Sequence, residues 1–249
     1  MPHRQWMLAA LSDDAPQLAA AHGLKLEIDA FCTAENMDGD NFLSWDAIVR
    51  EQLALAPADV LHAPFAELFP CAIDPRARAL CMERLTQAAQ IARSYGVRRL
   101  VVHSGYIPRV YYPQWFEARS AEFWREYLKK QPEDFELLIE NVMDEDPSSF
   151  ARMLFGIGDP RARACLDVGH ARVVSPHSLP EWIEALAPFL SHVHLHDNDG
   201  TTDTHNPPGE GIIDIPALLA CLDRHAPKAS ITLECPDAAG AVRWLEGWR

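Results

Sequence analysis

Between His192 and Gly211 the chain reads HVHLHDNDGTTDTHNPPGEG, with four histidines and three aspartates in one short span. Imidazole nitrogens and carboxylate oxygens at that density suit zinc, manganese, iron or cobalt better than calcium. An EF-hand loop needs its glycine at the sixth position, whereas Gly200 arrives at the fourth counted from Asp197, so that pattern fails. In SHVHLHD alternate residues share one strand face, which points His192, His194 and His196 the same way. The middle or last of them is best placed for a strand-end site, and the deepest suits a hydrogen-bonded core position. Asp203 and His205 follow in the loop, and NPPGEG turns the chain before the next helix.

Carboxylates recur in a related setting. Glu140 ends the apolar run of LLIENV, Glu234 that of ITLECP, and Asp167 that of ACLDVGH, with His170 three residues later. Each follows residues of buried type, where a lone carboxylate is costly without a cation or hydrogen-bonding partner. Singly, each reads as a helix cap or an arginine partner. Together with the histidines they read as a metal centre. His62 in VLHAPF and His103 in VVHSGY likewise close short apolar runs.

The elements that would position these residues alternate along the chain. Strand-like runs are WMLAAL, LKLEIDAF, DVLHAP, RRLVVHSG, ELLIEN, RACLDVGH, SHVHLHD and ASITLEC. Helical spacing covers Ser44 to Leu55, Asp74 to Tyr95, Pro113 to Lys130, Ser148 to Gly156, Pro180 to Ala187, Ile215 to His225 and Ala238 to Trp248. Eight strand–connection units predict an α/β fold, a (β/α)₈ barrel in a single domain over residues 1–249. A doubly wound open sheet is the competitor. Asp29, His62, His103, Glu140, Asp167, His194 and Glu234 all stand at strand C-termini, which favours the closed barrel, whose strand ends face one mouth.

Composition bounds the function class. Of the 249 residues 48% are hydrophobic, enough for a large core, and no run approaches the roughly 20 apolar residues of a membrane span. Six scattered cysteines without a Cys-x-x-Cys pair, and no secretory leader pattern, are expected of a cytoplasmic protein with reduced thiols. A formal charge of −14 argues against broad nucleic-acid binding. Association into a homo-oligomer is left open.

In their order, the His-ending strands, IEN, LDVGH, HLHDNDG…DTH…PGEG and LEC resemble the xylose-isomerase-like TIM barrels, a superfamily of sugar isomerases and epimerases and of apurinic endonucleases of the IV type. For the endonuclease type the resemblance implies up to three metals held by His62, His103, Glu140, Asp167, His170, His194, Asp203, His205 and Glu234. For the isomerases it implies a smaller core of Glu140, Asp167, His194 and Glu234 around one divalent ion (zinc, manganese or cobalt). On either pattern Asp197, Asp199 and Glu210 shape the loop or support the ligand histidines.

Two chemistries follow from the resemblance. In the first, a sugar or sugar phosphate is isomerised or epimerised, Glu140 and Glu234 exchanging a proton and His170 steering a substrate oxygen. Trp6, Phe65, Tyr106 and Trp115 are candidate pocket walls. In the second, a multinuclear zinc centre cleaves a phosphodiester. Phe65 stands where DNA-cleaving members carry a tyrosine, and Gly200 stands where many epimerases carry an arginine. A barrel that binds metal without catalysis is a third class on the same fold.

Overall fold

The structure is a computed structural model that describes residues 4–248. Eight parallel strands form one closed barrel: β1 (Trp6–Ala9), β2 (Lys25–Ile28), β3 (Ala58–His62), β4 (Arg99–His103), β5 (Glu136–Glu140), β6 (Ala162–Asp167), β7 (Leu190–Leu195) and β8 (Ser230–Leu233). β8 pairs with β1 through Trp6 and Ile231, which closes the ring and excludes the open sheet.

Around it lie α1 (Ala15–His22), α2 (Gly39–Leu55), α3 (Pro75–Ser94), α4 (Pro113–Leu128), α5 (Pro147–Ile157), α6 (Val168–Val174), α7 (Leu179–Leu186), α8 (Ile215–His225) and α9 (Ala238–Trp248). Among the described residues no helix is long and apolar enough to cross a membrane.

The two-residue period of the strands separates two cores. Outward-facing Leu8, Leu26, Ile28, Leu61, Leu100, Val102, Leu137, Ile139, Leu166, Val193, Ile231 and Leu233 pack under the helices. Inward-facing Met7, Val60, Val101, Leu138 and Cys165 form a separate cluster that fills the lumen. The next inward position on these strands is at the C-terminal end. His62, His103, Glu140 and Asp167 therefore sit one layer above the lumen plug, which is why apolar runs here end in ligand-type residues.

Two helices escape the sequence pattern. α1 is alanine-rich and lacks a polar–apolar contrast; Gly23, at φ 63°, ends it in the left-handed region. The run RACLDVGH suggests one strand throughout, but the strand stops at Asp167. The Asp167 carboxylate accepts from the backbone N–H of His170 at 2.6 Å and starts α6, a helix too short to reveal its period. α2 begins at Gly39, five residues before the expected Ser44.

Candidate metal centre

Strand register brings the candidate residues together. His103 pairs with Glu140, and Asp167 with His194. At the mouth, ligand atoms of His62, His103 and Glu140 lie within 4.8 Å of one another, as do those of Glu140, Asp167 and His194, and those of His170, Asp203 and His205. Glu234 joins them, its Oε2 lying 3.3 Å from His194 Nδ1 and 3.7 Å from His205 Nδ1. All nine residues singled out in the sequence thus face one mouth.

Hydrogen bonds fix which nitrogen of several rings is free. A backbone carbonyl can only accept, so Nδ1 of His62 donates to the carbonyl of Ala63 at 2.8 Å. In the same way Nδ1 of His170 donates to the carbonyl of Asn141, and Nδ1 of His205 to that of Glu234, each at 3.0 Å. In the neutral rings every Nε2 lone pair then faces a carboxylate: Glu140 at 3.3 Å for His62, and Asp203 at 3.1 Å for His170 and His205. His194 is reversed. Its Nε2 meets Glu27 at 3.0 Å, and its Nδ1 has no hydrogen-bond partner among the described residues and faces Glu140, Asp167 and Glu234 at 3.6, 3.8 and 3.3 Å. Lone pairs aimed at buried carboxylates repel unless a cation, proton or metal, lies between them. This donor set fits a divalent transition metal.

The electrostatics carry the same signature. Burial would raise the carboxyl of Glu140, but the charge of His194 and hydrogen bonds from His170 and His194 outweigh it and hold it well below the usual range. Burial would lower His62, yet its hydrogen bond to Glu140 and the charges of Glu140 and Glu234 raise it to about 9. His205 is raised to about 9 in the same way by Asp203 and Glu234. His103 differs. Burial outweighs Glu140 and, with its histidine neighbours, pushes it down to about 3, so it is neutral. Its ring stacks on Phe65 at 4.3 Å.

Residues that sequence reasoning passes over support the centre. Glu27, fully buried in the lumen, accepts from Thr232 at 2.5 Å and contacts His192 at 3.2 Å and His194 at 3.0 Å. A glutamate between Leu26 and Ile28 on a barrel strand is the available signal, since residues 25, 27 and 29 share the inward face. Asn141 clamps two strand ends: its Oδ1 accepts from the N–H of Asp167 at 2.9 Å, and its Nδ2 donates to the Asp167 carbonyl at 3.0 Å.

The β7–α8 loop is built around Asp197. Its buried carboxylate accepts from the backbone N–H groups of Asn198, Gly209 and Ile213 at 2.9, 3.0 and 3.0 Å, and its backbone bridges Asn206. His205 is held at φ 49°, a left-handed conformation costly for a histidine. Asp199 organises only the local turn at Thr201 and Thr202, and Glu210 is exposed. Asp197→Ala strips three N–H groups of their acceptor. The expected cost is about 2–4 kcal/mol, and melting in chelator should show Tm lowered by roughly 5–15 °C. An unchanged Tm would mean the loop is held elsewhere.

The expected pocket walls need one correction. Trp6 faces outward from the start of β1 and packs edge-on against Trp244 of α9 at 6.0 Å, so it lines no mouth. Trp115 stacks on Tyr111 at 5.4 Å, and Tyr106 packs against Phe116 at 4.9 Å. An arginine at position 200 would strain the backbone, and its neighbours there are the ends of flexible side chains. Gly200 has φ 79°, and a Cβ there would lie 2.8 Å from Ile212 Cδ1 and 3.3 Å from Arg172 Cζ. A surface cavity of about 400 Å³ between α6, α7 and residues 212–218 contains none of the nine residues.

The sequence model of the xylose isomerase-like TIM barrel family matches residues 17–248. The chain belongs to this family. Among curated relatives, this xylose isomerase-like barrel is 27% identical over 237 residues to the uncharacterized protein MJ1311 of Methanocaldococcus jannaschii, covering 85% of this chain and 81% of that one. Among solved structures it superimposes on a D-tagatose 3-epimerase-like protein with TM-score 0.80 and 24% identity, covering 98% of this chain and 95% of that one. It superimposes on the TTHB071 protein of Thermus thermophilus, soaked with zinc chloride, with TM-score 0.75 and 25% identity, covering 98% of this chain and 97% of that one.

Proposed function

We propose that this barrel is a divalent-metal-dependent isomerase or epimerase of a sugar or sugar phosphate. The observation that carries the reading is the meeting of two glutamates from separate strands at one point: Glu140 at the end of β5 and Glu234 just after β8 reach His194 Nδ1 at 3.6 and 3.3 Å. Glu140, Asp167, His194 and Glu234 would hold one ion, while His62, His103, His170, Asp203 and His205 complete the set for a second and a third. Zinc, manganese or cobalt bound there would polarise a substrate carbonyl.

The chain's own residues supply the proton transfer. One glutamate removes the proton from the carbon next to the carbonyl, and the other returns it. Glu27 keeps His194 in the tautomer whose Nδ1 faces the glutamates. His170, held by the Asn141 carbonyl, steers a substrate oxygen. The family and the epimerase-like name of one structural neighbour support this chemistry.

Incubating metal-loaded protein with aldoses and ketoses in D₂O should place deuterium beside the carbonyl of the product. Glu234→Gln keeps the size and an oxygen, and should retain metal yet lose turnover by roughly 10²–10⁴-fold. Full activity in that variant would end the two-glutamate scheme.

The completeness of the three ligand sets favours a second reading, phosphodiester hydrolysis at a multinuclear centre. The formal charge of −14 and Phe65 at the tyrosine position count against DNA as substrate. Cleavage of an abasic duplex or a small phosphodiester, with no sugar turnover, would promote this reading over the first.

A further inference from the structure

His196, which follows β7, is fully buried and belongs to none of the three ligand sets described above. We propose that His196 is a positioning residue that ties the central and outer parts of the centre into one unit, fixing Asp167 through an N–H bond and bracing His205 through its ring face. The inference rests on reading the mouth as a metal centre.

Three observations support it. First, Nε2 of His196 lies 3.1 Å from both oxygens of Asp167. Its Nδ1 has no hydrogen-bond partner among the described residues and so no acceptor to hold a proton there. The proton therefore sits on Nε2 and is shared between the two carboxylate oxygens. This is the opposite of His62, whose Nδ1 donates to a carbonyl and leaves Nε2 as the lone-pair side.

Second, the His196 and His205 rings are stacked, with centroids 3.8 Å apart and planes 7° from parallel. Imidazole lone pairs lie in the ring plane, so two parallel rings direct them side by side. They do not converge on an ion at the roughly 2.0–2.1 Å that a zinc–nitrogen bond requires. His196, His205 and Glu234 come within 4.8 Å of one another, but the stacking excludes the two rings as joint ligands.

Third, the chain makes room for this ring. A Cβ on Gly169 would lie 1.9 Å from Cε1 of His196 and 2.6 Å from each of its nitrogens. Gly169 lies outside the left-handed region, so its backbone does not call for glycine. The side chain missing at 169 is the space that His196 occupies.

The test separates the two contacts. His196→Phe keeps a ring against His205 and removes the donor to Asp167, whereas His196→Gln keeps a donor and removes the ring face. Both are made in wild type and in His205→Ala, which leaves the central position intact. Zinc stoichiometry and affinity are read by competition with a chromophoric chelator, and folding by melting in excess chelator.

In the His205→Ala background His196→Phe should weaken the central zinc about 10–100-fold, and His196→Gln by less than about threefold. In wild type, His196→Gln should weaken the outer zinc more than His196→Phe does. The number of ions at saturation should not change. Loss of a whole equivalent in His196→Phe would make His196 a ligand and overturn the proposal, and so would affinities identical to the parents'. A wild type that binds no zinc would instead fail the metal reading, and this inference with it.

Discussion

Replacing Glu140 by glutamine should cost turnover roughly 10³-fold or more and strip the centre of ions unevenly. Its carboxylate is shared: Oε2 lies 3.3 Å from His62 Nε2 and 3.6 Å from His103 Nε2, and Oε1 lies 3.2 Å from His170 Nδ1 and 3.6 Å from His194 Nδ1. Glutamine keeps the shape and one carbonyl oxygen but cannot face two cations with two anionic oxygens. Elemental analysis should then show loss at the positions built on His62–His103 and on Asp167–His194. The ion held by His170, Asp203 and His205 should persist. Wild-type metal content and turnover in this variant would refute the shared role. Glu234→Gln should be milder toward metal, since Glu234 reaches two ring nitrogens, His194 Nδ1 at 3.3 Å and His205 Nδ1 at 3.7 Å.

Removing metal should invert the pH dependence of stability above neutrality. In chelated protein, protons take the place of the ions. Burial opposes the charge on His62, but Glu140 wins and the group titrates at about 9; His205 does so at about 9 beside Asp203. A histidine raised above its unfolded value of about 6.5 stabilises fully below that value and loses the contribution as pH rises through its folded value. The chelated protein should therefore lose Tm steadily between about pH 6.5 and 9. His170 and His194, both raised by neighbouring acids against burial, add to the same slope. His103 and His192, lowered to about 3 and about 4 chiefly by burial, are neutral in the folded state throughout the window and oppose the slope only slightly at its lower edge, where their unfolded forms finish losing protons. With zinc in excess the sign reverses, because metal competes with protons for the same lone pairs and binds more tightly as pH rises. Melting curves of both forms at about pH 6.5, 7.5 and 9 check this. Parallel slopes would mean the histidines and the ions do not compete.

Most of this architecture is legible because a barrel strand has a simple grammar. An apolar run facing lumen and helices alternately must end where the lumen opens. His62, His103, Glu140 and Asp167 are the residues found at those ends. The candidate loop ligands Asp203 and His205 need only their composition and the turn after them. Less can be read where the deciding fact is a contact between distant residues. Glu27 looks like any strand glutamate until closure brings β7 and β8 across from it, and His196 looks as well placed for a strand-end site as His194 until Gly169 is seen to leave it space. α6 is hidden because its start is fixed by Asp167, a residue that also belongs to the site. Trp6 is misplaced for want of one bit of phase, inward or outward, which a four-residue strand does not reveal.

The lumen plug of Met7, Val60, Val101, Leu138 and Cys165 forms an apolar floor beneath the centre. A hydrogen-bonded chain from His194 through Glu27, His192 and Ser230 to Arg99 runs past the plug, so protons have a polar path on that side while ions would exchange through the mouth. Side-chain exposure grades along that route: 0% for Asp167 and His194, 13% for His170, 26% for His205 and 32% for Asp203. Ion traffic would therefore be first-in, last-out. An ion lodged at Asp167 and His194 would be trapped behind whatever occupies Asp203 and His205, at a rim shaped by the loop that Asp197 pins.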